Sequence, residues 1–416
     1  MRKKFKNYVL LGTTLTLLGA AATVNAESGL SGELEIVTNA DETTFNAVNA
    51  VFEQFMAENP DVKIEYTTQG SDYEQLMKAR MASNDLPDMF ATHGWSVARY
   101  SEYLRPLTDQ EWASSIDDAF LPNVQDENGD VFVLPINMDQ GGLIYNKTIL
   151  AELGAEPPAT WAEFMELCEL GKEKGYIGVF MAGKDSRKPA SLLDIAAITY
   201  LASCEDKGYA AQLADGSFDW NNWAPVSQLL VDLKDNGYMN VDCVTCNPVD
   251  VPGRMAENNV MFLFSSTPVL IEQASEINPD AQYGMAPIPA LDENYDPVFC
   301  GGEREAYGIW KDTENETLCL ALLEYMAKPE HVKAICEASE TCSAIKDVDV
   351  DLGAVSEDYD KYTGVAIYPF FDRVYLPNGM WSTLKTIGSA ILGGEMTVED
   401  SIATMEMDYQ TLFAQN

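Results

Sequence analysis

Residues 131–164 read VFVLPINMDQGGLIYNKTILAELGAEPPATWAEF, and this stretch decides the fold. The apolar run 131–134 predicts a strand that ends at Pro135, and the polar residues 137–140 follow it. Two glycines then open a second predicted strand over 143–145, and a helix comes next. Thr160 and Glu163 have the spacing of a capping box at the start of a further helix. The stretch therefore predicts a chain that leaves one lobe, exposes polar side chains in a gap and begins a second lobe.

Upstream of this stretch, strands and helices alternate in the order βαβαβ. Strands are predicted at 34–37, 62–66 and 88–91, with amphipathic helices at 42–59 and 72–83. This order indicates a parallel sheet with right-handed crossovers. Ligands of such sheets lie beyond the carboxyl ends of the strands. Those ends here are residues 39–42 and 92–95.

Downstream, the pattern indicates helices at 191–204 and 222–237 and a strand at 260–264. Residues 283–289 are expected to return the chain to the first lobe, where 301–310 is predicted as one strand entered through a glycine pair. The predicted fold class is α/β, with two lobes joined by crossing hinge strands. The first lobe is expected to contain residues 27–138 and 290–345, and the second lobe residues 139–289 and 346–416.

Residues 1–26 have the features of an export signal peptide, with four cations, an apolar stretch over 8–22 and small residues at 24–26. The apolar stretch is too short and too polar to span a bilayer. No Cys lies near it, so a lipid-anchoring lipobox is not predicted. We expect an exported protein that is extracellular or associated with the cell envelope. Without this segment the 416-residue chain retains 390 residues, which exceeds what one core usually serves and again indicates two lobes.

Charge and cysteine content exclude several classes of protein. Loss of the four signal cations takes the formal net charge from −40 to −44, and phosphate binding needs clustered Lys and Arg, so nucleic acid is excluded as a partner. Eight cysteines permit four disulfides, of which Cys243–Cys246 is the favoured pair, although a reduced state stays open. With His93 and His331 as the only histidines, no metal site is predicted.

The stretch 131–164 also resembles the hinge-proximal signature of family 1 extracellular solute-binding proteins, the sugar-binding subunits of ABC importers. In that family the crossover reads Pro, a few residues, a carboxylate, Tyr-Asn-Lys, a helix and Pro-x-Thr-Trp-x-Glu-Phe. Here Pro135, Asp139, residues 145–147 and residues 158–164 match it. The resemblance covers nearly all of the mature chain. It implies a two-lobed periplasmic-binding-protein-like fold, a carbohydrate held between the lobes, hinge closure, an ABC permease as partner, a monomer, and binding without chemistry.

Sugar chemistry and this resemblance together give candidate ligand-binding residues. A sugar presents hydroxyls at its edge and C–H patches on its faces, so carboxylates and aromatic rings are expected around it. Asp139 is the leading candidate, because an acid has little structural reason to lie in the crossover, and Asn137 and Gln140 are its neighbours. Trp381 matches a stacking Trp of the maltose-binding branch, with core packing as the alternative. Phe370 and Tyr375 are weaker candidates for the same role.

Two further groups of candidates follow predicted strands. Asp41 matches an acidic sugar contact in the maltose-binding branch, although a helix N-cap explains it equally well. Glu42 is a weaker candidate, because that branch has Lys there. His93 and Trp95 flank Gly94 in a loop that matches a sugar-contacting loop of relatives, with structural roles as the alternative.

The last candidates lie where the sequence departs from the family or follows a glycine pair. Relatives commonly have a stacking Trp at the position of Thr267, so one aromatic platform is missing. Gly302 lies in a glycine pair that flanks the ligand in relatives, and Glu303 and Arg304 follow it. Arg304 could bind an anionic group of the ligand, or it could pair with Glu303 or Glu305.

The sequence therefore favours the carbohydrate-binding subunit of an ABC importer. A non-sugar solute in the same fold, such as a polyamine, an organic acid or a metal chelate, stays open as the alternative. An exported glycosidase is the third hypothesis. The GxSxG, GxGxxG, phosphate-loop and HExxH motifs are absent, so no enzymatic activity and no cofactor are predicted.

Overall fold

The structure is a computed structural model that describes residues 29–414 apart from residues 93, 95 and 119. The predicted signal peptide, His93 and Trp95 therefore lie outside the described residues. Its strands are β1 Gly32–Thr38, β2 Val62–Thr68, β3 Met89–Ala91, β4 Leu134–Pro135, β5 Asn137–Asn146, β6 Ile177–Val179, β7 Val260–Ser265, β8 Tyr283–Ala286, β9 Phe299–Glu303, β10 Ala306–Ile309, β11 Cys342–Ser343 and β12 Ile367–Pro369.

The α-helices surround two sheets. They are α1 Glu42–Glu58, α2 Tyr73–Ser83, α3 Leu121–Val124, α4 Lys147–Leu153, α5 Trp161–Lys174, α6 Arg187–Ala197, α7 Tyr209–Asp215, α8 Ala224–Asp235, α9 Val251–Ala256, α10 Val269–Ile277, α11 Glu316–Met326, α12 Pro329–Ser339, α13 Ser356–Lys361, α14 Phe371–Val374, α15 Met380–Gly393 and α16 Val398–Phe413. Two π-helical segments, Ser96–Tyr100 and Ile198–Ala202, continue a loop and a helix, respectively.

The first sheet confirms the predicted βαβαβ unit. Its strand order is β2-β1-β3-β10-β4, and β1 pairs in parallel with both β2 and β3. Helix α1 begins where Asp41 accepts a hydrogen bond from the Thr44 N–H, and it buries Val48, Phe52 and Phe55 against the sheet side of the lobe. Because the strand pattern and the cap are local signals, the sequence placed these elements within a few residues.

The second sheet corrects two predictions about the hinge. The polar run 137–140, which was predicted to separate two strands, belongs to the single strand β5. This strand pairs with β9 and β11 in its first half and with β7 and β8 in its second half. The predicted strand over 301–310 is two strands, of which β9 lies in the second sheet and β10 in the first. The break between them contains Arg304 and Glu305, so this second crossover also lies beside Asp139.

Each lobe has its own apolar core. The core of the first lobe joins α1, β3, β4 and α11, and the core of the second lobe joins α5, α6, α8 and α15, with a satellite cluster around β7 and β8. The first lobe begins its second segment later than residue 290, because Val298, Phe299 and Cys300 pack in the second lobe. The chain instead crosses between β9 and β10. The two-lobed α/β fold class is confirmed.

Three local predictions are also resolved. One half of the predicted capping box at α5 forms, because Thr160 Oγ1 accepts from the Glu163 N–H at 3.2 Å, whereas the Glu163 carboxylate accepts from the N–H of Ala159, one residue before the cap, at 2.8 Å. All eight cysteines are free thiols, so the favoured Cys243–Cys246 pair does not form. Within residues 29–414 as described, no helix is long and apolar enough to cross a membrane.

Candidate ligand-binding cleft

A cavity of about 720 Å³ lies between the two lobes, and we call it the main cavity. The first lobe contributes α2 and the segment around Arg99, β5 contributes Asp139, and the second lobe contributes α6, the turn after β7, α14 and the start of α15. The residues that line it are Glu74, Lys78, Arg99, Asp139, Arg187, Ser191, Asp194, Ile195, Ser266, Phe370, Asp372, Arg373, Asn378, Gly379, Trp381, Ser382 and Lys385.

Two aromatic side chains of the second lobe face the main cavity. Trp381 lies in the first turn of α15, two residues after Gly379, whose φ of 110° favours glycine. Phe370 precedes α14, and the Arg373 guanidinium carbon lies 4.6 Å from the centre of its ring. Rings in this position can cover the C–H faces of a sugar. Trp381 is half-buried, lines the main cavity and also packs against the core of the second lobe, whereas Tyr375 packs against the same core without lining the cavity.

Besides the exposed Glu74, three buried or half-buried carboxyl groups line the main cavity. The Asp372 N–H donates to Asp194 Oδ1 at 2.7 Å, so these two acids lie side by side on the second lobe. Burial raises the pKa of both groups, and the charge of Asp372 raises the pKa of Asp194 further. Burial also raises the pKa of Asp139, while the guanidinium groups of Arg304 and Arg373 oppose that rise.

Arg304 bridges two of the predicted site residues. Its Nη2 donates to Asp41 Oδ2 at 2.7 Å, and its Nη1 donates to Asp139 Oδ1 at 3.3 Å. The proposed alternative, pairing with Glu303 or Glu305, is replaced by these two partners from distant parts of the chain. Burial would raise the pKa of Asp41, but the Thr44 N–H and Arg304 hold it below its usual range.

Glu303 is fully buried and organises the loop after β3. Its carboxylate accepts from Thr92 Oγ1 at 2.9 Å, from the Gly94 N–H at 2.6 Å and from Ser96 Oγ at 3.3 Å. Burial raises the pKa of Glu303, and these donors counteract the rise. The carboxylate thus fixes the loop that carries residues 93 and 95, which are themselves outside the described residues.

Gly302 and Gly94 make room for Arg373. A Cβ atom on Gly302 would lie 2.9 Å from Arg373 Nη1, and one on Gly94 would lie 2.4 Å from the same atom. Arg373 Nη1 also donates to the Glu303 carbonyl oxygen at 3.0 Å. This second-lobe guanidinium therefore lies against the crossover and the loop of the first lobe.

The remaining predicted residues lie away from the main cavity or are engaged within the protein. The Asn137 side chain is fully buried, donates to Ser339 and Thr341 and accepts from the Glu305 N–H. Gln140 Oε1 accepts from the Cys342 thiol at 3.4 Å. Thr267 closes a turn through Ser265 Oγ, and its neighbour Ser266 lines the cavity instead. Glu42 is exposed in the first turn of α1.

Sequence reasoning missed Asp372, Arg373, Asp194 and Arg99. Asp372 and Arg373 directly follow Phe370 and Phe371, and Arg373 lies eight positions before Trp381. An acid and a cation beside aromatic residues could have indicated a ligand-binding segment. Among the described residues, no group of His, Cys, Asp and Glu could hold a metal ion.

Comparisons with known proteins identify the family of the chain. The sequence profile of the family described as bacterial extracellular solute-binding protein matches residues 39–333. The melibiose/raffinose/stachyose-binding protein MelE of Bacillus subtilis (strain 168) is 32% identical over 382 residues, which are 91% of this chain and 88% of the relative.

Two solved structures resemble the whole described chain. A binding protein of Bacillus subtilis, MsmE, in an open conformation superimposes with a TM-score of 0.88 at 31% identity, covering 92% of this chain and 98% of the other. A sugar transporter protein of Bacillus licheniformis in complex with stachyose superimposes with a TM-score of 0.80 at 32% identity, covering 92% and 100%. This chain therefore belongs to the bacterial extracellular solute-binding proteins, a family of binding proteins whose members act outside the cytoplasm.

Proposed function

We propose that this protein is the carbohydrate-binding subunit of an ABC importer and that it captures an oligosaccharide of the melibiose, raffinose and stachyose type. The carrying observation is the main cavity between the lobes, which two aromatic rings and four carboxyl groups line. The relationship to MelE over 91% of the chain supports the choice of sugar. The cavity of about 720 Å³ falls within the range of roughly 300–1,000 Å³ typical of small-ligand sites.

The residues of the main cavity fit distinct parts of a sugar. Phe370 and Trp381 offer faces to its C–H patches. Asp139 uses Oδ1 for Arg304, and among the described residues Oδ2 has no donor, which leaves it to accept a sugar hydroxyl. Asp372 offers a second acceptor, and charged acceptors make the stronger hydrogen bonds. Lys385 also lines the cavity, as does Arg99, whose guanidinium donates to Asn378 and pairs with Glu74.

Closure of the two lobes over the ligand follows from the architecture. The chain superimposes better on the open relative, with a TM-score of 0.88, than on the stachyose complex, with 0.80, although the identities are nearly equal. That difference supports an open arrangement for the unliganded protein and a hinge at β5 and the β9–β10 break, where the lobes are connected. A hinge of this kind lets the ligand complete the interface between the lobes.

The cellular role follows as part of the same proposal. Residues 1–26 would direct export and then be removed, and the mature monomer would present its closed, liganded form to a permease. The protein would bind its sugar without converting it. Neither a lipid anchor nor a cofactor is needed for this role.

Calorimetric titration tests the proposal directly. Raffinose and stachyose are titrated into the wild-type protein, together with spermidine and citrate as non-sugar solutes and a chromogenic galactoside as a reporter of hydrolysis. We expect binding of at least one sugar, no binding of the amine or acid, and no colour. Binding of spermidine or citrate without sugar binding would replace the sugar by a non-sugar solute.

The variant Asp139→Asn tests the site. Because a hydrogen bond to a charged group contributes about 1.5–3 kcal/mol, its loss should weaken sugar binding roughly 10- to 150-fold. Asp118→Asn is the matched control, since the Asp118 side chain is 80% exposed and pairs only with Lys346 among the described residues. Equal affinities of the two variants would remove Asp139 from the site.

A further inference from the structure

A second cavity, of about 340 Å³, also lies between the lobes, and we call it the far compartment. Asp41 and Thr44 of the first lobe line one side of it, Val269 and Glu272 of α10 line the other, and Glu340 lies at its edge. Among the described residues none of its lining side chains is aromatic, in contrast to the main cavity.

Arg304 lines the far compartment and is bonded to one residue of each cavity. One of its partners, Asp41, lines the far compartment, and the other, Asp139, lines the main cavity. The bonds from the guanidinium to these partners measure 2.7 and 3.3 Å, and the Arg304 side chain is only 19% exposed. A ligand that extended from one cavity into the other would have to displace this side chain and leave Asp139, which is 13% exposed, without its cation.

The two cavities also differ in the contacts that they offer to a sugar. A neutral oligosaccharide gains stacking against Phe370 and Trp381 in the main cavity. In the far compartment it would meet carboxylates of α1, α10 and the end of α12 and no ring. Ser266, which follows β7, offers its hydroxyl group to the main cavity and not to the far compartment. The favourable contacts therefore end at Arg304.

We infer that Arg304 is a specificity-determining residue, which closes the cleft beyond Asp139 and thereby limits the length of the oligosaccharide that the protein binds. This inference rests on the proposed function, because it assigns the sugar to the main cavity. The bulk of the Arg304 side chain forms the barrier, and its two ion pairs hold the barrier in place.

A series of sugars that differ by one galactosyl unit tests the inference. Dissociation constants are measured for raffinose, stachyose and verbascose with the wild-type protein, Arg304→Ser and Arg304→Met. Both variants lose the same two ion pairs, but only Ser opens the space between the cavities. In the wild type, we expect affinity to stop rising at one member of the series. In Arg304→Ser, the preference for the next longer sugar should increase by at least about tenfold, while Arg304→Met keeps the wild-type preference.

Each contrary result is informative. Failure of the wild type to bind any of the three sugars contradicts the proposed function itself. If the affinity of the wild type rises from raffinose through stachyose to verbascose, Arg304 is not a barrier. The same conclusion follows if Arg304→Ser and Arg304→Met change the preference for the longer sugar equally. Thermal melts of both variants establish that they are folded before the titrations are compared.

A second variant leaves Arg304 intact and covers the case in which its substitution prevents folding. Val269→Phe fills the far compartment from α10, outside the main cavity. Since the sugar does not enter the far compartment, all three dissociation constants should stay within about threefold of the wild-type values. A selective loss of affinity for the longest sugar would show that the ligand occupies the far compartment and would overturn the inference.

Discussion

The two walls of the main cavity differ in chemical character. The second-lobe wall has Phe370 and Trp381 beside the buried pair Asp194 and Asp372, whereas the described first-lobe wall has charged side chains on α2 and the segment after it. Stacking and buried hydrogen bonds account for most binding energy in a site, and exposed charges contribute little. The comparison leads us to expect that the second lobe supplies most of the contacts to the sugar and that the first lobe closes over it.

The prediction with the largest expected effect tests this difference between the two walls directly. Trp381→Ala removes one of the rings and should weaken sugar binding by about 2 kcal/mol or more, roughly thirtyfold. Lys78→Ala, on the first-lobe wall, should change the dissociation constant by less than about threefold, because its side chain is exposed. Calorimetry on both variants checks this.

Trp310→Ala is the control for loss of a tryptophan, since Trp310 is half-buried in the first lobe and does not line the cavity. It should lower the melting temperature without changing affinity. If Lys78→Ala costs as much affinity as Trp381→Ala, the two walls contribute equally and the comparison is wrong.

A second prediction concerns the charge that the second lobe supplies. The Arg373 guanidinium lowers the pKa of Asp139, and it opposes the effect of burial on Asp194, Asp372 and Glu303 as well. In Arg373→Gln the pKa of these acids rises further, so a larger fraction of each is protonated at a given pH. Fewer ionised acceptors remain, and the affinity for sugar should begin to fall at a higher pH during acidification than in the wild type.

Titrations between pH 5 and 8 measure this effect. We expect a loss of about tenfold at the acidic end, because the nearby cation that favours the charged form of these acids is gone. Arg187→Gln is the control, because Arg187 lines the same cavity but is 70% exposed and pairs with Asp185. Arg373→Lys should restore part of the wild-type pH profile by keeping the charge. A profile for Arg373→Gln that parallels the wild type would mean that Arg373 only holds the fold.

The first lobe was largely predictable from sequence and the hinge was not. Local signals define β1 and α1, since strand alternation and the Asp41 cap lie within a few residues of each other. By contrast, the residues 301–310 look like one strand, and only the tertiary structure decides that β9 joins one sheet and β10 the other. Sheet membership is a long-range property that no local pattern records.

In the candidate site, too, some features were predictable from sequence and others were not. Asp139 was a candidate because the crossover signature surrounds it, and Trp381 because the maltose-binding branch has a stacking Trp at the matching place before a similar helix. The partners of Arg304 were not, since Asp41 lies 263 positions away and Asp139 lies 165 positions away. Its neighbours in sequence are engaged elsewhere: Glu303 binds the loop after β3, and Glu305 accepts hydrogen bonds from Thr38 and Tyr307. Adjacent residues of an extended chain point to opposite sides, which is why sequence proximity misled here.

The prediction with the smallest expected effect concerns the far compartment. Among the described residues, neither lobe contributes an aromatic side chain there. Burial, and then the hydrogen bond and charge of Glu272 across the interface, raise the pKa of Glu340 to about 7. Between the usual pKa of a glutamate and 7, the folded protein holds a proton that the unfolded chain has released. Folding is therefore favoured at lower pH, and this contribution is lost as the pH rises through 7.

Glu340→Gln stays neutral at every pH, so it should lack this loss and melt slightly above the wild type at pH 8, with little difference at pH 5. Solvent screening limits the effect to a difference on the order of 1 °C. Differential scanning calorimetry at the two pH values measures it, and Glu337→Gln, at an exposed position paired with Lys333, is the control. A variant that melts higher at pH 8 and not at pH 5 confirms that burial and the Glu272 carboxylate, which lies on the second lobe, disfavour the charged form of Glu340 on the first lobe. Equal melting temperatures of variant and wild type at pH 8 would contradict this raised pKa.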